Sequence, residues 1–241
     1  MRIEIVGLSG IPEVRRGDDL AALIRNAAGS SLDSGAIVAV AQKVVSKCEG
    51  AVVDLRTIEP SPAACNWAAQ WHKDARLIEL ILRQSRRIVK MDRGVLIAET
   101  CHGLVCANAG VDRSNVPGED HATILPADPD ASARRLREAL GCGAVIITDT
   151  FGRPWREGLV NVAIGVSGLE ALEDCRGRRD RNGRVLEATV IATADELAAA
   201  AGLVMRKAEC VPAVLIKGFV WQPAEGLARA LVRPPERDLF R

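Results

Sequence analysis

Residues 144–148, Ala-Val-Ile-Ile-Thr, form the clearest buried strand of the chain, and they run into a carboxylate, Asp149, and a hydroxyl, Thr150. A short continuous apolar run with such an end needs a core built around it. Further strand-like runs lie at residues 3–8, 36–41, 88–91, 95–98, 162–166, 188–191 and 213–216. Helical segments fall between several of them. Asp18 and Asp19 can cap a helix through Ala28, because a side-chain carboxylate accepts from the unpaired N–H groups of a first turn. Pro60-Ser61-Pro62 opens a second helix to about Trp71, and a third covers roughly residues 74–84. Asp128-Pro129-Asp130 precedes a fourth over residues 131–140, with proline where a missing N–H does no harm. Thr193 or Asp195 starts an Ala-rich fifth, ending near Met205. Strands and helices mixed without strict alternation argue an α/β fold, of the α+β kind with a mixed sheet. No Pro/Gly/Ser linker or internal repeat divides residues 1–241, so the expectation is a single domain, at most split into two lobes.

Composition removes several function classes. Apolar residues make up 48%, enough for a packed globule. Aromatic residues are only 3% and tyrosine is absent, which argues against a base-stacking surface. Lys plus Arg number 32 against 31 Asp plus Glu, for a net charge of +1. That balance gives no global drive toward nucleic acid or an anionic membrane. No apolar run reaches membrane-span length, and the alternating start Arg2-Ile3-Glu4-Ile5-Val6 lacks a signal-peptide core. Seven cysteines without a C-x-x-C pair fit reduced thiols, and the expected location is the cytoplasm. Three histidines give zinc catalysis little support, and neither a P-loop nor a G-x-G-x-x-G fingerprint is present.

The chemistry is carried by oxygen. Residues 104–116, LVCANAGVDRSNV, place Asp112 and Asn115 on one short loop after an apolar run. Asp149 and Thr150 sit at the end of another. Two carboxylates at strand ends with hydroxyl and amide neighbours are ligands for a hard divalent cation, and such a cation usually handles phosphate. Asp149 can also be a helix cap, followed by a solvated loop carrying Arg153 and Arg156, but Asp112 and Asn115 offer a second oxygen site and favour the ligand role. Gly7-Leu8-Ser9-Gly10-Ile11-Pro12 can cradle phosphate with its N–H groups or be an ordinary turn, and spacing alone favours the turn. Gln42, Lys43, Ser46 and Lys47 follow the run at 36–41, at a strand end where α/β proteins bind ligands; a charged surface face accounts for them equally well. Cys101-His102 and Cys106 suggest a thiol beside a base, although unreactive buried cysteine is the commoner outcome.

The longer motifs carry a resemblance. Gly10-Ile11-Pro12 with Gly17-Asp18-Asp19-Leu20, Val44 through Gly50, Cys106 through Val116, Leu125 through Asp130, Ile146 through Arg156 and Ala163 through Gly168 follow one another in order. With them the chain resembles the coenzyme F420-0:L-glutamate ligases almost end to end. The resemblance implies an unusual two-lobed α/β fold forming an intertwined homodimer, without the C-terminal nitroreductase-like domain of some relatives. It implies a GTP-dependent ligase that uses divalent metal, Mg²⁺ or Mn²⁺ and two ions, to join L-glutamate to coenzyme F420-0, some members adding further γ-linked glutamates. Asp112 and Asp149 resemble metal ligands, with Thr150 beside the second ion. Gly10, Ile11, Pro12, Glu13, Val14, Gln42, Lys43, Lys47 and Asn115 align with nucleotide-contacting positions. Asp112, Asp149 and Lys47 are the expected catalytic set, with Arg153 or Arg156 as further charge. Where the family carries an oxygen ligand near the C-terminus, this chain has Lys207. Either Glu209 substitutes for it, or the second metal site is weakened. Two other readings keep parts of this picture: a nucleotide-binding relative without ligation, and a ligase for a different carboxylate.

Overall fold

The computed structural model describes residues 2–238. Strand β1 (Glu4–Gly7) leads to helix α1 (Leu20–Ala28), whose first turn is capped by the Asp19 carboxylate accepting from Ala22 N–H at 2.9 Å. The buried run β2 (Ile37–Ala41) passes without a break into α2 (Gln42–Cys48), followed by the short β3 (Val52–Asp54). Helices α3 (Pro62–Trp71) and α4 (Ala75–Arg83) are capped by the Ser61 and Asp74 side chains, which accept from Ala64 and Arg76 N–H. Next come β4 (Ser85–Asp92), β5 (Val95–Thr100), β6 (Val105–Ala107) and β7 (His121–Thr123). Helix α5 (Pro129–Leu140) starts on Asp128 and stops at Gly141, whose φ of 66° is left-handed and cheap only for glycine. The chain then forms β8 (Ala144–Arg153), β9 (Arg156–Leu169), a short pair β10 (Glu173–Asp174) and β11 (Val190–Ile191), helix α6 (Thr193–Met205), β12 (Ala213–Lys217) and β13 (Pro223–Ala224).

Six strands make the central sheet in the order β1-β12-β2-β8-β9-β13. Only β2 and β8 run parallel; their neighbours are antiparallel, so the sheet is mixed. Ala41, the last residue of β2, pairs with Thr148 of β8. Strand β8 continues for five more residues, so Asp149 and Thr150 lie just beyond the end of β2 and beside the start of α2.

Helices α1, α2 and α5 cover one face of the sheet around Ile24, Val38, Val40, Val145 and Ile147, all buried. Helix α6 covers the other around Ile37, Ile146, Val214 and Ile216. β2 and β8 are therefore apolar at successive positions, as strands covered on both faces must be. Fully burying one such Ile or Val contributes about 1.5–3 kcal/mol. A third cluster joins α3 and α4 to β5 through Leu55, Trp67, Ile81, Leu96 and Ala98.

Several elements exceed their sequence signals. The run at 162–166 is the inner part of a strand of 14 residues, and Asp149 lies within a strand of 10 residues instead of capping a helix. The run at 188–191 shrinks to two residues, since the Arg- and Gly-rich segment before it has no apolar face to bury. No described helix is long and apolar enough to cross a membrane.

Gly165 sits on β9 where α5 crosses it. A Cβ there would lie 2.3 Å from the Pro129 carbonyl oxygen and 2.6 Å from its carbon. Both are backbone atoms at a helix start, so neither can swing aside. Gly165→Ala is expected to lower unfolding stability by about 2 kcal/mol or more, read from the urea midpoint; a change under about 0.5 kcal/mol would mean that α5 can slide.

Candidate active site

Three segments meet at the carboxyl end of the parallel pair. Helix α2 places Lys43 and Lys47 one turn apart on the same face. The loop after β6 brings Asp112, whose N–H and C=O both pair with Thr123 at 3.0 and 2.8 Å. The loop before β12 arrives because β12 is antiparallel to β2, and Ala41 N–H donates to Pro212 C=O at 2.8 Å. Asp149 and Thr150 of β8 lie between them.

Asp112 is held tightly. Its Oδ1 accepts from Ser114 N–H at 2.7 Å, and its Oδ2 accepts from Ser114 Oγ at 2.9 Å and Lys43 Nζ at 2.7 Å. Burial pushes this carboxyl up, but the Lys43 ammonium and the Ser114 donors together outweigh it and hold the group below its usual range. Lys43 also donates to Ser114 C=O at 2.8 Å and Ser114 Oγ at 2.5 Å.

Asp149 is the opposite case. It is half-buried at its place in β8, and its Oδ1 accepts from Thr150 N–H at 2.8 Å. Burial pushes its carboxyl up to about 6 and the Asp112 charge adds to that, while Thr150 N–H, Lys207 and Lys43 offset part of it. Thr150 Oγ donates to Asn161 Oδ1 at 2.9 Å and accepts from Lys207 Nζ at 2.5 Å.

Two carboxylates that raise each other's energy, one tied down and one pushed up, can hold a cation between them. Among the described residues no three His, Cys, Asp or Glu side chains converge. The protein's oxygens are thus two carboxylates, plus hydroxyl and carbonyl groups. That set fits a hard divalent ion that completes its shell with water and phosphate oxygen, as Mg²⁺ does.

A cleft of about 530 Å³ adjoins this cluster, lined by Glu13, Val14, Lys47 and Asn115 among others. Lys47 is almost fully buried and forms an ion pair with Glu13. Asn115 adopts a left-handed φ of 55° in the loop that also carries Asp112. The remaining residues suggested by sequence are placed elsewhere. Ile11 and Val14 pack into the core beneath α1, with Val14 also reaching the cleft wall. Gly10, with φ 81°, and the exposed Pro12 form the turn beside them. Gln42 is buried, donating to Ser46 Oγ at 2.7 Å and Ile124 C=O at 3.3 Å, so its side chain braces α2. Glu209 is exposed and lies 3.8 Å from Arg206, while Lys207 is the loop residue that reaches Thr150. Arg153 folds onto Glu157 C=O at 2.5 Å within the β8–β9 hairpin, whose tip is about 13 Å along the strand from Asp149.

Ser114 and Asn161 hold the carboxylate and hydroxyl in place, and sequence reasoning assigned them no role. A serine two residues after an aspartate was the available signal for Ser114. Cys101 Sγ lies 3.5 Å from His102 Nδ1 at an exposed turn. Cys106 is buried, and its thiol is pushed up to about 12 by burial and then by Asp149, which removes it as a nucleophile.

The raised Asp149 carboxyl has a consequence for stability. The folded protein keeps the Asp149 proton up to about pH 6, whereas the unfolded chain loses it near pH 4. Ligand-free stability contributed by this group is therefore highest below about pH 4 and falls as pH rises toward 6. Asp149→Asn should raise the unfolding free energy by about 1–3 kcal/mol at about pH 7.5 and by much less at about pH 4. Urea melts at the two pH values measure this, and equal or lower stability of the variant at the higher pH would remove the electrostatic account.

Comparison with known proteins gives this constellation a context. The family model for F420-0:gamma-glutamyl ligases matches residues 10–218, spanning every element from the Gly10 turn to the end of β12. A coenzyme F420:L-glutamate ligase of Methanothermobacter thermautotrophicus is 49% identical over 252 residues, covering 100% of both chains. The protein of that name from Methanopyrus kandleri is 50% identical over 251 residues, covering 100% of this chain and 98% of its own. That of Methanocaldococcus jannaschii is 41% identical over 248 residues, covering 100% and 97%. With the family model matched over most of its length and relatives aligned end to end, this chain belongs to the F420-0:gamma-glutamyl ligase family.

Proposed function

We propose that this chain is a ligase that joins L-glutamate to coenzyme F420-0, using GTP and a divalent metal, Mg²⁺ or Mn²⁺. The observation that carries the reading is the pairing of Asp112 with Asp149 beside a cleft bearing Lys47 and Asn115. The names of the relatives supply L-glutamate and coenzyme F420, and that of the family supplies the F420-0 form.

A carboxylate does not acylate an amine, because its oxygen is a poor leaving group. In the proposed reaction a carboxylate oxygen of the precursor attacks the γ-phosphorus of GTP. The bond from that phosphorus to GDP breaks, leaving an acyl phosphate. The α-amine of glutamate then attacks the acyl carbon, inorganic phosphate departs, and the amine gives up its proton. The protein's part is positioning and charge neutralisation. Asp112 and Asp149 would hold the metal, which when bound supplies Lewis-acid stabilisation of phosphate charge. Glu13, Val14 and Asn115 border the space for the nucleotide. Lys47 neutralises phosphate once its partner Glu13 yields it.

The exposed apolar side chains Trp155 and Leu159 near the hairpin tip support a working homodimer. Light scattering should give twice the chain mass for the wild type and a shift toward monomer for Trp155→Glu with Leu159→Glu; an unchanged mass would place the contact elsewhere.

The deciding experiment measures phosphate release from GTP with Mg²⁺ or Mn²⁺, with and without L-glutamate and coenzyme F420-0, and reads the products by mass spectrometry. The expected product is the precursor carrying one or more glutamyl units, with release dependent on both substrates. Asp112→Asn and Asp149→Asn should each lower turnover at least about 100-fold. Wild-type metal-dependent turnover in Asp112→Asn would falsify the mechanism. Nucleotide binding with no glutamyl product would mark a binding protein or a different carboxylate substrate.

A further inference from the structure

The two lysines beside the carboxylates are used differently. An ammonium carries three protons. Lys43 Nζ meets three acceptors, Asp112 Oδ2, Ser114 C=O and Ser114 Oγ, at 2.7, 2.8 and 2.5 Å. Its hydrogen-bonding capacity is spent within the protein. Lys207 Nζ meets one acceptor among the described residues, Thr150 Oγ at 2.5 Å, and its side chain is exposed. Two of its protons therefore remain for an incoming anion.

Thr150 Oγ has in turn given its proton to Asn161 Oδ1 and accepted one from Lys207. The hydroxyl that could extend a cation site outward from Asp149 already holds a positive charge. A divalent ion on the same oxygen would sit within a few ångströms of that ammonium, and the repulsion would add to the cost of dehydrating the ion. Glu209, the nearest acidic residue in the loop sequence, is turned toward Arg206 at 3.8 Å.

We propose that Lys207 is the phosphate-contacting cation of this site and takes the place of a second divalent ion, so that the chain loads one ion, shared by Asp112 and Asp149. The inference rests on the reading above that this cluster binds metal and nucleotide. Lys207 bonds phosphate oxygens with its two open donors while its third stays on Thr150. A tethered ammonium cannot dissociate and sheds only the water on its two open donors, but it neutralises one charge where a divalent ion neutralises two.

The test counts ions on the full chain. Metal-stripped protein is titrated with Mn²⁺ in the presence of a non-hydrolysable GTP analogue, and bound ions are counted by equilibrium dialysis with electron paramagnetic resonance detection. The wild type should saturate at one ion per chain. Lys207→Glu, which replaces the ammonium by a carboxylate, should take two. Lys207→Met should keep one ion and bind the analogue about tenfold more weakly, the loss expected for one charge-assisted phosphate contact. Two ions on the wild type, one ion on a folded Lys207→Glu, or unchanged analogue affinity in Lys207→Met would each overturn the assignment while leaving the ligase reading intact. No ion on the wild type would overturn the metal reading of the site, and this inference with it.

Discussion

Two carboxylates from different parts of the chain are brought together against their mutual repulsion, and the surrounding architecture is arranged to tolerate it. Asp149 has no freedom to retreat. It lies within β8, between Thr148, which pairs with Ala41 and Ala163, and Thr150, which pairs with Asn161. Asp112 is equally fixed by its two backbone bonds to Thr123 and by the turn it makes with Ser114. Neither group can relax by rotating its backbone, so the Asp112 charge adds to the burial that already pushes the Asp149 carboxyl up. Lys43 and Lys207 lower that cost without abolishing it. A protein selected for stability alone would place an amide at one of these positions; the proposed cation-binding role gives a reason for carrying two acids here.

The mixed sheet is what lets three distant segments meet. A parallel pair puts the carboxyl ends of β2 and β8 at one edge, where α2 begins and Asp149 emerges. An antiparallel neighbour, β12, has its start at that edge and delivers the loop bearing Lys207. The β6–β7 connection supplies Asp112 from the side of the third hydrophobic cluster. A fully parallel sheet would have carried the start of β12 to the opposite edge, and the Lys207–Thr150 contact could not form.

The main supports of this arrangement were visible in the sequence, because they are the ones that hydrophobic pattern and capping chemistry encode. The apolar runs of β2, β8 and β12 and the starts of α1, α3, α4 and α5 stand where their residues indicate. Asp112 and Asp149 were legible as acids following apolar runs, but Asp149 lies inside β8 instead of at a strand end. Helix α2 was not: Gln42-Lys43-Val44-Val45-Ser46-Lys47 has no capping side chain and two β-branched residues, and it becomes helical because Val45 is taken into the core and Ser46 bonds Ile124 C=O. The length of β9 was hidden because its outer half is exposed and lacks apolar continuity. Which lysine answers which carboxylate was also out of reach. Lys43–Asp112 and Lys47–Glu13 span 69 and 34 residues, and such pairings are fixed by register rather than by local pattern.

Those pairings bear on how an anion enters the proposed site. Lys47 is already neutralised by Glu13, and Lys43 by Asp112. A phosphate approaching either one exchanges an existing ion pair for a new one, and gains only the difference between them. Lys207 has a neutral partner, so a phosphate there adds a charge pair outright. The first anionic contact thus forms most readily at Lys207. Neutralising Asp112 and Asp149 with a cation then weakens their hold on Lys43, while Glu13, exposed to solvent, can turn away from the buried Lys47 as a phosphate takes its place. On this argument metal and nucleotide assist each other, because each removes a charge that the other would otherwise have to oppose.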